Sequence, residues 1–175
     1  MKASVKTQFL LSPKLFYFLD SQLALRIMKG DEEGKCIPME HLTIKYNELT
    51  AEEFIGLWES VWGDGPSLEQ TRLALSHTLF RISVFDGEKI IAMARMLGDM
   101  GLDYYIKDVV VRPEYQRRGI GRRMIQELLK FVGDHGVGGT DIFIELTAAP
   151  EKAPFYEKLG FDANDAVRLK LMKHV

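Results

Sequence analysis

The chain is poor in cysteine: Cys36 is the one thiol in 175 residues. That excludes an internal disulfide and fits a reducing compartment, so a cytoplasmic location is expected. A lone cysteine reads as an inert side chain rather than a nucleophile. Histidine is scarce too. His41, His77, His135 and His174 lie far apart, none at metal-ligand spacing from another or from Cys36, and no metal is expected. No apolar run approaches the roughly 18 to 20 residues that span a bilayer, and no small-residue cleavage site follows the apolar stretches near the start. The formal charge is only −2, which argues against a nucleic-acid or anionic-membrane partner held by bulk charge. No G-x-S-x-G elbow is present, and no repeats, low-complexity tracts or linkers.

What is present centres on one stretch, Asp108 to Arg123. Val109, Val110 and Val111 suit a buried strand, and Pro113 has no N–H with which to extend its ladder. A basic loop with two glycines follows. Ile120, Met124, Leu128, Leu129 and Val132 then recur at helical spacing, with Arg122, Arg123, Gln126, Glu127 and Lys130 between them. The pattern reads as strand, loop, helix. Gly119 and Gly121 allow positive φ and close approach of a ligand, and a loop leading into a helix start favours negative charge there. Arg117, Arg118 and Arg122 add cations, which makes a pyrophosphate-like group the expected ligand. Position 124 is Met where a dinucleotide fingerprint needs its third glycine, and Gly121-Arg122-Arg123 is no P-loop.

The rest of the chain predicts one domain. Residues 1–40 read as an extension, partly helical over Lys14 to Met28 behind Ser12-Pro13. The main domain covers 41–175. Leu42 to Leu49 alternates as a strand. Thr50 and Glu53 form a capping box for a helix through Phe54, Leu57, Trp58 and Val61. Ser67 caps a second helix through Leu68, Leu73, Leu75 and Leu79. Strands follow at Phe80 to Phe85, Ile90 to Leu97 and Leu102 to Val111, the first two joined by an Asp86-Gly87 turn. After the long helix come a strand at Asp141 to Leu146, a short helix at Ala153 to Leu159, and an edge strand at Val167 to Met172. The order β-α-α-β-β-β-α-β-α-β predicts an α/β fold, a mixed sheet with helices on both faces.

Gln116-x-x-Gly119-x-Gly121 after a strand ending in Val-x-Pro closely resembles the central motif of the GNAT superfamily of acyl-CoA-dependent N-acetyltransferases. Phe155-Tyr156-Glu157-Lys158-Leu159-Gly160-Phe161 resembles a segment near the end of many such domains. Together the resemblance covers about 42 to 172. It implies splayed central strands, with the arm of acetyl-CoA between Asp108–Val111 and the strand at 141–146. It further implies acetyl and pantetheine contacts from Val109, Val110 and Val111. The pyrophosphate would be held by Gln116, Arg117, Arg118, Gly119, Ile120, Gly121 and Arg122. Many relatives carry Asn seven residues before the tyrosine; here that position is Ala149. The strand Tyr104-Tyr105-Ile106-Lys107-Asp108-Val109 resembles a subgroup of bacteria and chloroplasts, some of which acetylate arylalkyl amines.

The activity this implies is transfer of the acetyl group of acetyl-CoA to a primary amine of a small molecule, by direct attack in a ternary complex. The alternatives are a protein or peptide acetyltransferase and a non-catalytic acyl-CoA-binding module. Tyr156 is the candidate acid, set against a packed aromatic. Glu145 is the first candidate base, set against a surface ion pair. Asp108 is the second, set against a salt bridge with Lys107 or Arg95. Tyr104, Tyr105 and Trp62 are candidates for the acceptor site, set against plain core. The apolar amino-terminal helix would suit a homodimer contact.

Overall fold

The computed structural model describes residues 41–162. The expected helix at 14–28, Cys36 and the closing strand at 167–172 lie outside the described residues, as do His174 and the proposed 1–40 extension. Within them the expected element order is found: β1 Leu42–Tyr46, α1 Ala51–Trp62, α2 Leu68–Ser76, β2 Phe80–Asp86, β3 Lys89–Gly98, β4 Asp103–Val111, α3 Ile120–His135, β5 Phe143–Leu146 and α4 Ala153–Glu157. Short 3-10 turns at Pro113–Tyr115 and Pro150–Lys152 precede α3 and α4.

The five strands form one sheet in the order β1-β2-β3-β4-β5. The first four are antiparallel neighbours, and β5 lies parallel to β4. A parallel neighbour needs a crossover, and α3 supplies it. The helix starts are built as their sequences foretell. The Thr50 hydroxyl accepts from the Glu53 N–H at 3.2 Å while Glu53 Oε2 accepts from the Thr50 N–H at 2.8 Å. The Ser67 hydroxyl accepts from the Gln70 N–H at 3.2 Å.

The second helix ends at Ser76, short of the expected Leu79, and β5 starts at Phe143, two residues after the expected Asp141. Three other boundaries differ from expectation for a local reason. β1 stops at Tyr46, because Asn47 takes a left-handed φ of 60° and turns its side-chain oxygen to the Arg81 N–H at 3.1 Å. The β2–β3 turn is Gly87-Glu88 rather than Asp86-Gly87: Asp86 pairs with Lys89, and Gly87 takes the positive φ of 59°. α4 ends at Glu157, two residues short of Leu159, and Gly160 follows at φ 93°.

Helices cover both faces. On one, Ile120, Met124, Ile125, Leu128 and Val132 of α3 pack on Ile82, Val84, Ala92, Ala94, Met96, Tyr104 and Ile106. On the other, Phe54 and Leu57 of α1 and Leu75 of α2 pack on Met93 and Val110. Burying each such large aliphatic or aromatic side chain is worth about 1.5–3 kcal/mol. This clamps β3 and β4 from both sides and makes them the rigid platform of the site. Asp99 closes the turn into β4: its Oδ1 accepts from the N–H groups of Gly101, Leu102 and Asp103 at 2.9, 2.8 and 3.1 Å.

Candidate active site

β4 and β5 pair for only four residues each, from Asp103↔Phe143 to Ile106↔Leu146. β4 then runs on through Lys107–Val111 with β3 on one side and, among the described residues, no strand on the other. The N–H and C=O groups on that side have no ladder partner from β5, and this unpaired stretch of β4 is the candidate slot. The Tyr105 hydroxyl, hydrogen-bonded to the Thr147 hydroxyl, ties β4 to the chain just past β5.

β4 carries one residue too many for its neighbour. Met93 pairs with Val110 and Arg95 with Lys107, so Asp108 and Val109 together oppose Ala94. Asp108 takes a φ of 51°. The alternation therefore shifts: Tyr104 and Ile106 lie on the α3 side, and after the bulge Val109 and Val111 do so, while Val110 lies on the α1 side. Val110 is buried, with Val109 and Val111 partly so. The three valines form the wall of the slot largely through their backbone.

At the far end of β4 the Gln116 side chain donates to the Val111 carbonyl at 2.9 Å and folds the basic loop back on the strand. Arg117 and Gly119 take φ of 59° and 83°. No side chain caps the start of α3. The first N–H groups of this sixteen-residue helix therefore lack intrahelical partners and face outward, where they and the helix dipole favour an anion. Among the described residues no carboxylate pairs with Arg117, Arg118 or Arg122, whereas Arg123 is held by Glu127 at 2.6 Å. The Arg118 guanidinium lies 5.2 Å from the Tyr115 ring centroid. Ile120 is 2% exposed, so its side chain belongs to the core and only its backbone N–H can serve a ligand. A Cβ placed on Gly121 would lie 3.5 Å from Phe155 Cζ and 4.0 Å from Val111 Cγ2. The end of β4, the start of α3 and α4 thus converge, and the donor set suits a pyrophosphate.

Tyr156, next to Phe155, is half-buried against the α3-side core and stands edge-on to Phe155 and Phe161, with centroids 4.9 and 5.9 Å apart. Burial raises its pKa, so the phenol stays protonated. Its hydroxyl makes no hydrogen bond to the described residues. Glu145 pairs with Tyr105 across the sheet and is exposed on the face opposite α3. Asp108 forms a buried ion pair with Arg95, the salt-bridge alternative raised above. Tyr104 is 1% exposed and sits in the core, which removes it from any open acceptor surface. Tyr105 is partly exposed. Trp62, 50% exposed, stands at the end of α1 edge-on to Trp58 at 4.6 Å. Ala149 precedes the Pro150–Lys152 turn and offers no polar side chain. Sequence reasoning raised Arg95 only as an ion-pair alternative for Asp108 and missed Thr147, which carries no motif and acts through Tyr105, a partner distant in sequence.

The acetyltransferase (GNAT) family model matches residues 46–161, well over half of the chain. The chain belongs to the GNAT family. It is 34% identical over 84 residues to "GCN5-related N-acetyltransferase 2, chloroplastic" of Arabidopsis thaliana, covering 45% of this chain and 31% of that protein. It is 33% identical over 105 residues to "Serotonin N-acetyltransferase 2, chloroplastic" of Oryza sativa subsp. japonica, covering 57% and 50%. The chain thus spans half or less of the length of these curated relatives. The fold matches the probable acetyltransferase SA2161 of Staphylococcus aureus with a TM-score of 0.65 at 22% identity, over 74% of this chain and 99% of that one. As a GNAT domain the chain has the mixed five-stranded sheet of its structural neighbours.

Proposed function

We propose that this GNAT chain transfers the acetyl group of acetyl-CoA to the primary amine of a small molecule, by direct attack in a ternary complex. The observation that carries the reading is the meeting of the end of β4 with an uncapped helix start bearing unpaired arginines, at Gly121, where Phe155 packs and the half-buried Tyr156 follows it. Acetyl-CoA supplies an activated thioester carbonyl.

Val109–Val111 offer open backbone along the slot to an extended amide-bearing arm, and the amides of Gly119–Arg122 with Arg117, Arg118 and Arg122 offer a seat for its pyrophosphate. An alkylamine has a pKa near that of Lys, about 10.4, so forming the neutral nucleophile at pH 7 costs roughly 4–5 kcal/mol. Glu145 is the proposed acceptor of that proton, directly or by way of water. It stands on the face opposite α3, and Tyr156 packs on the α3 side. On this reading the amine proton is taken from one face of the sheet and the thiolate is protonated from the other.

Tyr156 is the proposed donor to the thiolate. An ordinary phenol is about 1.5 pH units weaker as an acid than a thiol, so the transfer is uphill by roughly 2 kcal/mol unless the nascent thiolate is also poorly solvated. Burial raises the Tyr156 pKa further, so the proposed transfer requires a thiolate desolvated at least as strongly as the phenol. The rice relative's name supports a small aromatic amine as acceptor, and Trp62 and Tyr105 are the exposed rings available to line its path.

The test is thiol release from acetyl-CoA across a panel of amines: arylalkyl amines, polyamines, amino sugars and peptide amino termini. Release with a small amine at saturating acetyl-CoA supports the reading. Release with peptides alone replaces the acceptor class, and tight acetyl-CoA binding without release on any amine replaces catalysis by a binding role.

A further inference from the structure

We propose that the buried Arg95–Asp108 pair is a positioning device for the slot: it pins the extra residue of β4 and so sets which way Val109–Val111 face. The inference rests on the acetyl-CoA reading above.

Four residues other than glycine have positive φ among those described: Asn47, Met100, Asp108 and Arg117. Three stand in turns or bends, and Asp108 alone stands inside a strand. Left-handed backbone is disfavoured for most residues, and Asp tolerates it better than others. Something must nevertheless hold it, because among the described residues β4 from Lys107 onward has a strand on only one side. An extra residue in a half-supported strand is free to slip, and a slip of one residue turns each side chain to the opposite face. Val110 would leave its place beside Phe54 and Leu57, and Val109 and Val111 would turn from the α3 side.

The hold comes from β3. The Arg95 Nε–H donates to Asp108 Oδ2, and the two side chains are 13% and 8% exposed. Arg95 is itself fixed from α1 and from the α2–β2 connection. Its Nη1 donates to the Thr78 hydroxyl at 3.2 Å, and its guanidinium lies 5.7 Å from the Phe54 ring centroid. A guanidinium this dry needs an acceptor for its Nε–H, and the Asp108 side chain that supplies it specifies one register. Asp108 on this account holds backbone, and the proton of the acceptor amine goes elsewhere.

The experiment compares four proteins by calorimetry with acetyl-CoA and by steady-state kinetics: the parent, Asp108→Asn, Asp108→Gly and Arg95→Met. Asn tolerates the left-handed φ, and its amide oxygen still accepts from Arg95. It should rescue acetyl-CoA affinity to within about threefold of the parent, with the pH profile of turnover keeping its shape. Gly takes the φ freely but lacks the carboxylate, and Arg95→Met lacks the donor. Both should weaken acetyl-CoA tenfold or more and raise its KM by the same factor, with the acceptor KM moving less than threefold. Should Arg95→Met fail to fold, the Asn and Gly variants decide between them.

Asp108→Gly binding like the parent overturns the pair's role. So does Asp108→Asn losing turnover at neutral pH and regaining it in alkali, which would make Asp108 a proton acceptor. A parent that binds no acetyl-CoA overturns the reading of function and this inference with it. A parent that binds, with variants indistinguishable from it, overturns this inference alone.

Discussion

The Tyr105 hydroxyl and the Thr147 hydroxyl are hydrogen-bonded across the last stretch where β4 and β5 run together. Tyr105 pairs with Glu145, and Thr147 lies one step beyond the final paired residue of β5, Leu146. The bond therefore sits at the fork. A partly exposed hydrogen bond of this kind contributes about 0.5–1.5 kcal/mol.

Tyr105→Phe and Thr147→Val should each lower stability by no more than about that amount. If the bond sets the fork, both variants shift the acetyl-CoA KM by a similar factor, and the double variant shifts it no further. Full additivity in this double-mutant cycle would show that the two hydroxyls act separately.

The loop prediction concerns Gly121. A Cβ there meets Phe155 and Val111 at ordinary contact distances, and a carboxylate in the first turn of α3 suits the helix dipole. Gly121→Glu should therefore fold with a melting temperature near the parent's, yet place an anion where the pyrophosphate is proposed to sit. Acetyl-CoA affinity should fall at least tenfold, with Gly121→Ala within a few-fold of the parent. Equal affinities in parent and Gly121→Glu would remove the pyrophosphate from this loop.

Much of this site is legible in the residues, and what is not has a physical reason. Thr50 with Glu53 and Ser67 mark helix starts because capping is local chemistry, contained within four residues. The α3 stripe is legible because one face of a long helix must be apolar. The bulge in β4 escapes notice because alternation has a period of two, and one added residue among three valines leaves no trace in it. The same blindness puts Tyr104 among acceptor candidates when its place before the bulge sends it into the core. Tyr105 and Thr147 are 42 positions apart, and nothing in either residue announces the other.

Asp99 gives a pH prediction. Its carboxylate accepts three backbone N–H groups at the turn into β4, and these hold its pKa below the usual range. A depressed carboxylate pKa stabilises the fold above the unfolded value, near 3.9, and that gain is lost as pH falls through the folded value. Asp99→Asn should narrow the stability difference between pH 7 and pH 3 in urea titrations. An unchanged acid limb would mean that the turn forms without its charge.

Glu145 is tested by the pH dependence of turnover. If it takes the amine proton, Glu145→Gln loses most at neutral pH and recovers as pH rises toward the amine's own pKa near 10, where free base becomes abundant. The raised pKa of Tyr156 keeps the proposed acid protonated through most of that window. A loss of equal size at every pH assigns Glu145 to positioning instead.

Tyr156→Phe isolates the proposed acid. The ring stays edge-on to Phe155 and Phe161, and the hydroxyl makes no hydrogen bond to the described residues, so folding stability at pH 7 should hardly change. Stability in alkali gives an internal control. A phenol whose pKa is raised by burial contributes stability below its unfolded value, near 10, and loses it as pH rises through the folded value; the Phe variant should show a shallower alkaline limb. Turnover is the decisive measurement. General acid catalysis is worth about 10²- to 10⁴-fold, so the rate at saturating substrates should fall within that range while the acetyl-CoA KM moves little. Loss of packing cannot produce that split when the ring is kept. A Tyr156→Phe enzyme that turns over within twofold of the parent would mean that the thiolate leaves unprotonated or takes its proton from another group, and Tyr156 would stand as a packed aromatic.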